Sequence, residues 1–214
     1  MVDLTLPLYS GMPVYPGDPE VAFARRSAAD PGAQEYALAE LRLGTHTGTH
    51  LDAPAHVIPG GAGVDTVPLA ACVGRACVVD CTGLDGISLP ALRERIPDPE
   101  PGSRLLLRTD WDLRFGTEDY YTGFPGLTLP AACWLAERRI ALLGLETPSV
   151  CHAADHAAHV ALLEAGVIIV EGLARLRNIG AEECWFAALP LPLAGLDSSP
   201  VRAVAWVPLG SAVA

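Results

Sequence analysis

The sequence predicts an α/β fold in which at least part of the sheet is parallel. Short apolar runs bounded by Gly, Pro or Asp recur along the chain, which is typical of buried strands. In the later part of the chain these runs alternate with segments of helical spacing, which favours strand–helix–strand units and parallel strands. The first 45 residues contain only strand-like segments.

The elements follow from apolar runs and the residues that end them. Met12–Pro19 and Ala53–Gly63 are rich in Pro and Gly and predict loops. Gly166 stands where a glycine C-cap would end the last helix. The candidate helices are Ala91–Arg95, Leu129–Arg139 and Ala153–Ala165. The candidate strands are Val2–Leu8, Val21–Arg26, Tyr36–Leu43, Arg75–Cys81, Arg104–Thr109, Ile140–Leu145, Val167–Glu171, Cys184–Pro190 and Val201–Val207.

Length and composition indicate one folded domain over residues 1–214. Half of the 214 residues are hydrophobic, 18% are charged and the mean hydropathy is +0.31, which excludes a disordered chain. No apolar run approaches the ~20 residues of a membrane span, and no basic segment opens a secretory signal, so we expect a cytoplasmic protein.

The charge excludes several partners and mechanisms. The formal net charge of −11 disfavours nucleic acid and anionic lipid as partners. All 14 basic residues are Arg, so Schiff-base chemistry and a lysine-dependent P-loop are excluded. A small molecule is therefore the expected partner.

The six cysteines predict buried apolar positions more than a zinc ribbon or disulfides, because no CxxC pair is present. Cys151 is adjacent to His152, so a thiolate nucleophile is an alternative for this one residue. No GxSxG motif supports a serine hydrolase.

The segment Gly44–His56, GTHTGTHLDAPAH, has the strongest functional pattern in the chain. Its Thr and Gly content disfavours a helix, whereas in an extended chain the even-numbered residues His46, His50, Asp52 and His56 share one face. Imidazole and carboxylate ligands suit Zn²⁺ best, and Mn²⁺ or Fe²⁺ acceptably. The pattern therefore predicts a metal site.

Spacing constrains the shape of that site. On a straight strand His46 and Asp52 lie roughly 20 Å apart at ~3.3 Å per residue, but ligands of one zinc must converge. The segment must bend or supply two ions, and Gly48 permits a bulge or a close approach.

Further ligands must come from elsewhere in the chain. His152, His156 and His159 fall at i, i+4 and i+7 of a predicted helix, hence on one face. Glu171 ends an apolar strand, where a buried carboxylate needs a cation. Spacing alone does not choose among the three histidines.

At these residues the sequence resembles the cyclase-like metal-dependent hydrolases, which include bacterial kynurenine formamidase and isatin hydrolase. The resemblance rests on His46–His56 and on the spacing of twelve from His159 to Glu171. Shorter matches are Pro13–Asp18, Thr147–Val150 and Ser199–Arg202. It implies a mixed β-sheet or a partly closed barrel of the swivelling β/β/α type with helices packed outside, and a homodimer or higher homo-oligomer.

The resemblance also implies roles for individual residues. His46 and His50 would bind one zinc, His159 a second, and Asp52 and Glu171 would bridge the two ions, with Mn²⁺ as another possible metal. His56 would act as proton donor and acceptor. Tyr15 would contact the substrate, at a position where the formamidases have Trp.

The chain departs from the family pattern at Cys151 and Glu146, where Asp is usual.

The function expected is hydrolysis of a small amide, formamide or lactam beside an aromatic ring, on a C–N bond other than a peptide bond. Aromatic residues in loops are candidates for the substrate wall: Tyr15, Trp111, Phe115, Tyr120 and Tyr121. The alternatives are a metal-dependent cyclase or dehydratase, and a non-catalytic metal-binding relative.

Overall fold

The computed structural model describes residues 1–28 and 36–207 and confirms the α/β class. The strands are β1 (Val2–Asp3), β2 (Ala22–Ala28), β3 (Tyr36–Arg42), β4 (His50–Asp52), β5 (Val73–Asp80), β6 (Arg104–Arg108), β7 (Leu142–Leu145), β8 (Ile168–Glu171), β9 (Glu183–Pro190) and β10 (Ser198–Trp206). The helices are α1 (Leu69–Cys72), α2 (Leu89–Arg95), α3 (Leu129–Glu137) and α4 (Asp155–Glu164). Four short 3₁₀ turns are Pro54–His56, Val64–Thr66, Trp111–Arg114 and Leu176–Asn178.

The main sheet closes into a ring of seven strands in the order β10-β4-β8-β7-β6-β5-β9 and back to β10. Strands β5 to β8 are parallel, as the alternation of strands and helices predicts. The other ring pairings are antiparallel. Strand β10 closes the ring because Ser198–Pro200 pair with β4 while Val201–Trp206 pair with β9. β1 extends the sheet from β10.

Two apolar cores lie on the two faces of the parallel strands. In β6, Leu106 packs in the barrel interior with Phe186, whereas Leu105 and Leu107 pack on the other face against helices. All four residues of β7 and all four of β8 are buried, as expected of strands covered on both faces. Helices α2, α3 and α4 form the outer layer.

Most predicted strands and helices exist, with ends displaced by up to about three residues. The first strand is the main exception, because it ends at Asp3 and not at Leu8. Beyond Asp3 regular pairing with β10 stops, although Leu4 and Thr5 still hydrogen-bond Ala203. Thr5 bridges Leu173, and the Leu6 N–H donates to Thr49 Oγ1 at 2.8 Å. Helix α3 ends two residues before the predicted Arg139, which has a positive φ of 51°.

Strands β2 and β3 form a separate two-stranded sheet, and β3 is exposed along its whole length. The chain leaves for this hairpin after Asp18 and returns at Gly44, so both of its ends adjoin residues of the site described below. None of the helices in the described residues has the length and hydropathy required to span a bilayer.

Candidate metal centre

The histidine-rich segment bends, as its spacing requires. Only His50–Asp52 form a strand, while His46 lies in the turn before β4 and His56 ends the 3₁₀ turn after it. Strand β4 lies between β8 and β10 and places His50 opposite Glu171. Strand pairing therefore joins His50 of the histidine-rich segment to Glu171.

Two glycines allow the backbones to meet beside the site. Gly48 has φ +65°, and a Cβ there would lie 2.7 Å from Leu8 Cδ2. Gly172 has φ +63°, and its Cβ would lie 2.6 Å from the Gly48 carbonyl oxygen. Thr49 Oγ1 donates to the Gly172 carbonyl at 2.5 Å. The expectation of a close approach at Gly48 is correct.

The structure brings all five predicted metal ligands together around Asp52. His46 Nδ1 lies 3.0 Å and His50 Nε2 3.5 Å from Asp52 Oδ1, and His159 Nε2 lies 3.7 Å from Asp52 Oδ2. Glu171 is close to two of the imidazoles, at 3.4 Å from His50 Nε2 and 3.1 Å from His159 Nε2. Asp52 has no exposed surface, and His50, His159 and Glu171 are at most 4% exposed.

The buried polar atoms of this cluster fit a divalent cation. Four buried side-chain N or O atoms in the described residues have no hydrogen-bond partner, and three of them are His50 Nε2 and both carboxylate oxygens of Asp52. Burying an uncompensated carboxylate is costly, whereas a metal ion satisfies both oxygens and the imidazole nitrogen.

The ligand atoms fall into two groups that share Asp52. His46, Asp52 and His56 form one group, and His50, Asp52 and Glu171 form the other, with ligand atoms within 4.8 Å of one another in each. The resemblance places His46 and His50 on the same ion, but here His50 is grouped with Glu171. Two overlapping groups are compatible with one ion or with two.

Backbone carbonyls orient two of the imidazoles. His50 Nδ1 lies 3.0 Å from the Gly48 carbonyl oxygen, and His159 Nδ1 lies 2.9 Å from that of Asp155. Each bond leaves Nε2 free to face Asp52. Metal-binding histidines usually have their second nitrogen held in this way.

The carboxylates dominate the electrostatics of the cluster. Burial lowers the pKa of His46, but Asp52 and Asp197 outweigh that effect and raise it to about 9. Burial raises the pKa of Asp52, but His50, His159 and His46 hold it well below its usual range. Asp52 is therefore ionised at neutral pH, as a metal ligand must be.

His56 differs from the other imidazoles of the cluster. Its pKa is lowered, mainly by burial, so the ring is neutral at neutral pH. The side chain keeps 29% of its surface exposed, and its ring centroid lies 4.2 Å from that of His46 and 5.3 Å from that of His159. His56 therefore contacts both the cluster and the solvent.

A cavity of about 160 Å³ opens onto these residues. The Pro/Gly-rich loop Met12–Pro19 supplies Tyr15 and Asp18 to its lining. Tyr15 is 41% exposed, and its ring meets that of Tyr121 edge-on at 5.6 Å. Of the five aromatic candidates for the wall, four line the cavity and Trp111 does not: Tyr15, Phe115, Tyr120 and Tyr121.

The prediction that three histidines share one helix face is wrong. Helix α4 begins at Asp155, so His152 lies before the helix, and both His152 and His156 are exposed. The Asp155 side chain explains this start, because it accepts from Ser149 Oγ at 2.6 Å and from the Cys151 N–H at 3.3 Å. Of these three histidines, only His159 is buried at the site.

The cysteines are free thiols, and four of the six are buried. Cys151 is 2% exposed and is not among the residues that line the cavity. Its Sγ accepts from the Ala154 N–H at 3.3 Å. These contacts favour a structural thiol over the alternative of a nucleophile.

Sequence reasoning missed Asp197, which precedes β10 and lies beside two of the predicted site histidines. Its Oδ2 is 2.8 Å from His46 Nε2 and 3.8 Å from His56 Nδ1. Asp197 is separated from the histidine-rich segment by about 140 residues and meets it only through the pairing of β10 with β4. The adjacent match Ser199–Arg202 is the signal that could have drawn attention to it.

Comparison with known proteins agrees with this geometry. The Cyclase family model matches residues 2–152. A kynurenine formamidase from Salinibacter ruber (strain DSM 13855 / M31) is 35% identical over 211 residues, which cover 95% of this chain and 96% of that protein. The chain belongs to the Cyclase family. The chain is also similar in structure to a predicted metal-dependent hydrolase from Bacillus stearothermophilus, with a TM-score of 0.79 and 32% identity over 95% of this chain and 96% of that chain. An isatin hydrolase bound to the product analogue thioisatinate has a TM-score of 0.84 at 25% identity, and the match covers 97% of this chain and 92% of that chain. The barrel with outer helices is thus the fold of these relatives.

Proposed function

We propose that this protein is a metal-dependent hydrolase that cleaves a C–N bond in a small aromatic amide, formamide or lactam. The cluster of buried carboxylates and imidazoles around Asp52 carries the proposal, because three of its atoms lack any hydrogen-bond partner. The relatives named kynurenine formamidase and isatin hydrolase support amide hydrolysis at such a centre.

We propose that His46, His50, Asp52, His159 and Glu171 hold the metal. Zn²⁺ suits these nitrogen and oxygen ligands, Mn²⁺ is the alternative, and two ions per chain is the stoichiometry that a shared Asp52 supports. When bound, zinc supplies Lewis acidity toward water and toward a carbonyl oxygen.

His56 is the proposed proton carrier. In hydrolysis the C–N bond breaks, the water oxygen forms the new C–O bond, and one proton passes to the leaving nitrogen. A neutral imidazole accepts a proton from water and then donates it to that nitrogen. His56 is suited to this role because its pKa is lowered and its ring lies between the cluster and the solvent.

The proposed binding site for the substrate ring is the aromatic wall of the cavity. Tyr15 and Tyr121 support each other edge-on, and Tyr121 is fixed by a hydrogen bond from its hydroxyl to the Pro13 carbonyl at 3.0 Å. Phe115 and Tyr120 complete the wall. These rings contact a flat apolar group without using a charged residue.

Activity and metal content test this function together. Protein loaded with Zn²⁺ or Mn²⁺ is offered N-formylkynurenine, isatin and formanilide, and metal per chain is measured by elemental analysis. We expect turnover of at least one substrate, and loss of both metal and turnover in Asp52→Asn. Unchanged metal content in that variant would contradict the ligand assignment.

Two controls separate this function from its alternatives. His156→Asn changes an exposed histidine of α4 and should retain both metal and activity. Reaction in H₂¹⁸O should label the product of hydrolysis, whereas a cyclase or dehydratase would leave its product unlabelled. Metal binding without turnover of any substrate would favour a non-catalytic relative.

We also propose that the protein forms a homodimer or a larger homo-oligomer. The exposed hairpin of β2 and β3 supports this assembly, because a two-stranded sheet is marginally stable without packing partners. Light scattering coupled to size-exclusion chromatography measures the mass, and a mass of one chain would contradict the proposal.

A further inference from the structure

Hydrogen bonds to residues other than histidine fix both the backbone and the side chain of Asp197. Its backbone carbonyl accepts from the Ala53 N–H at 2.9 Å, so the residue is tied to the chain just after Asp52. Its Oδ1 accepts from Thr45 Oγ1 at 3.1 Å. Only Oδ2 is then left to face the imidazoles, and it lies 2.8 Å from His46 Nε2.

Among the described residues, no backbone carbonyl holds the His46 ring in the way that the His50 and His159 rings are held. Those two rings are held by backbone carbonyls, at Gly48 and Asp155. The His46 ring lies in a turn and is 22% exposed, so its orientation depends on the groups at its two nitrogens. One nitrogen faces Asp52 at 3.0 Å, and the other faces Asp197.

We propose that Asp197 is a positioning residue of the metal centre, which accepts a hydrogen bond from His46 Nε2 and thereby aims Nδ1 at the ion beside Asp52. Asp197 does for His46 what backbone carbonyls do for the other two histidines. This inference rests on the proposed metal centre and assigns no metal bond to Asp197 itself. Loss of such an outer acceptor typically lowers metal affinity 10–100-fold.

The experiment measures metal affinity by competition with a chromophoric zinc chelator. Asp197→Ala removes the acceptor, and Asp197→Asn keeps an amide oxygen that can accept from Nε2. Asp65→Ala is the matched control, because Asp65 fastens the same loop by accepting from the Gly195 N–H at 2.9 Å but faces no imidazole. The urea midpoint of each metal-free protein shows whether folding is affected.

We expect Asp197→Ala to weaken zinc binding 10–100-fold, Asp197→Asn to weaken it less, and Asp65→Ala to leave it unchanged. The visible absorption of the Co²⁺ form should change in Asp197→Ala, because the His46 ring is then free to turn. Asp197→Ala should lower zinc affinity by the same factor in a His56→Ala background as in the wild type, since the acceptor acts through His46.

Three results would overturn the inference. Wild-type zinc affinity and an unchanged Co²⁺ spectrum in Asp197→Ala would show that His46 needs no acceptor, while the metal centre itself would stand. Disappearance of the effect in the His56→Ala background would assign Asp197 to His56. Absence of zinc binding by the wild-type protein would refute the metal centre and this inference together.

Discussion

Replacing Glu146 by Gln should destabilise the protein although only one oxygen is exchanged for an NH₂ group. Glu146 has no exposed surface. Its Oε2 accepts from the N–H groups of Thr109 and Asp110 at 2.8 and 2.7 Å, and its Oε1 accepts from the Leu176 N–H at 2.9 Å. One side chain therefore fixes the loops that follow β6 and β8.

The magnitude follows from these three acceptor bonds. In Glu146→Gln the amide oxygen can serve Thr109 and Asp110, but the NH₂ group then faces the Leu176 N–H and cannot accept from it. A buried N–H left without an acceptor costs about 1–3 kcal/mol. We expect the free energy of unfolding to fall by that amount, whereas Glu164→Gln on the surface of α4 should change it by less than about 0.5 kcal/mol.

The assay is urea unfolding of the metal-free protein at pH 5.5, followed by circular dichroism. Burial, with Asp112, raises the pKa of Glu146 to about 7 against the opposing effect of the three N–H donors. Stability linked to this raised pKa is present at low pH and is lost as the pH rises through about 7. The difference in the free energy of unfolding between wild type and Glu146→Gln should therefore be smaller at pH 8.5 than at pH 5.5.

Equal stability of Glu146→Gln and wild type at pH 5.5 would refute the reasoning about the Leu176 N–H. A stability difference between the two proteins that grows from pH 5.5 to pH 8.5 would refute the raised pKa of Glu146.

Three further predictions concern the site. Gly48→Ala should lower the free energy of unfolding by the about 1–2 kcal/mol of a left-handed residue, because the exposed Leu8 side chain can turn away from the new Cβ, and Gly83→Ala, with open space around it, should show the same backbone cost. Zinc at 100 times its dissociation constant should stabilise the wild type by about 2.7 kcal/mol and raise its Tm, and Asp52→Asn should show no such rise in differential scanning fluorimetry. Tyr15→Ala should raise KM for an aromatic amide more than it lowers kcat in steady-state kinetics, because the proposed contact of this 41% exposed ring is with the substrate ring and not with the reacting bond.

The sequence predicts the parallel half of the sheet well, because strands such as Ile168–Glu171 are covered on both faces and appear as continuous apolar runs. It also predicts a bent metal site, since His46 and Asp52 cannot converge on a straight strand. Strand β4 is missing from the predicted strands because it has three residues, two of which are polar. Its extended form depends on pairing with β8 and β10, which no local pattern reveals.

The positions of His152 and Asp197 show why the rest could not be predicted. The spacing of His152 fits a helix, but the Asp155 side chain accepts from the Cys151 N–H and holds the turn before the helix, which begins at Asp155. Asp197 has no ligand-like spacing to any histidine, and the adjacent match Ser199–Arg202 is its local signal. Its proposed role depends on the pairing of β10 with β4 at a sequence separation of about 140 residues. A side-chain hydrogen bond between neighbours in sequence decides the first case, and pairing of distant strands decides the second.

The closure of the ring by β10 has a consequence for the synthesis of this protein on the ribosome. Among the strands of the described residues, the one that pairs with both β4 and β9 is the last to be synthesised. Until β10 emerges, one edge of β4 and one edge of β9 stay unpaired in the nascent chain. Unpaired strand edges can associate with other chains. Chaperone capture before residue 198 and translation speed near that point should therefore influence the yield of native protein.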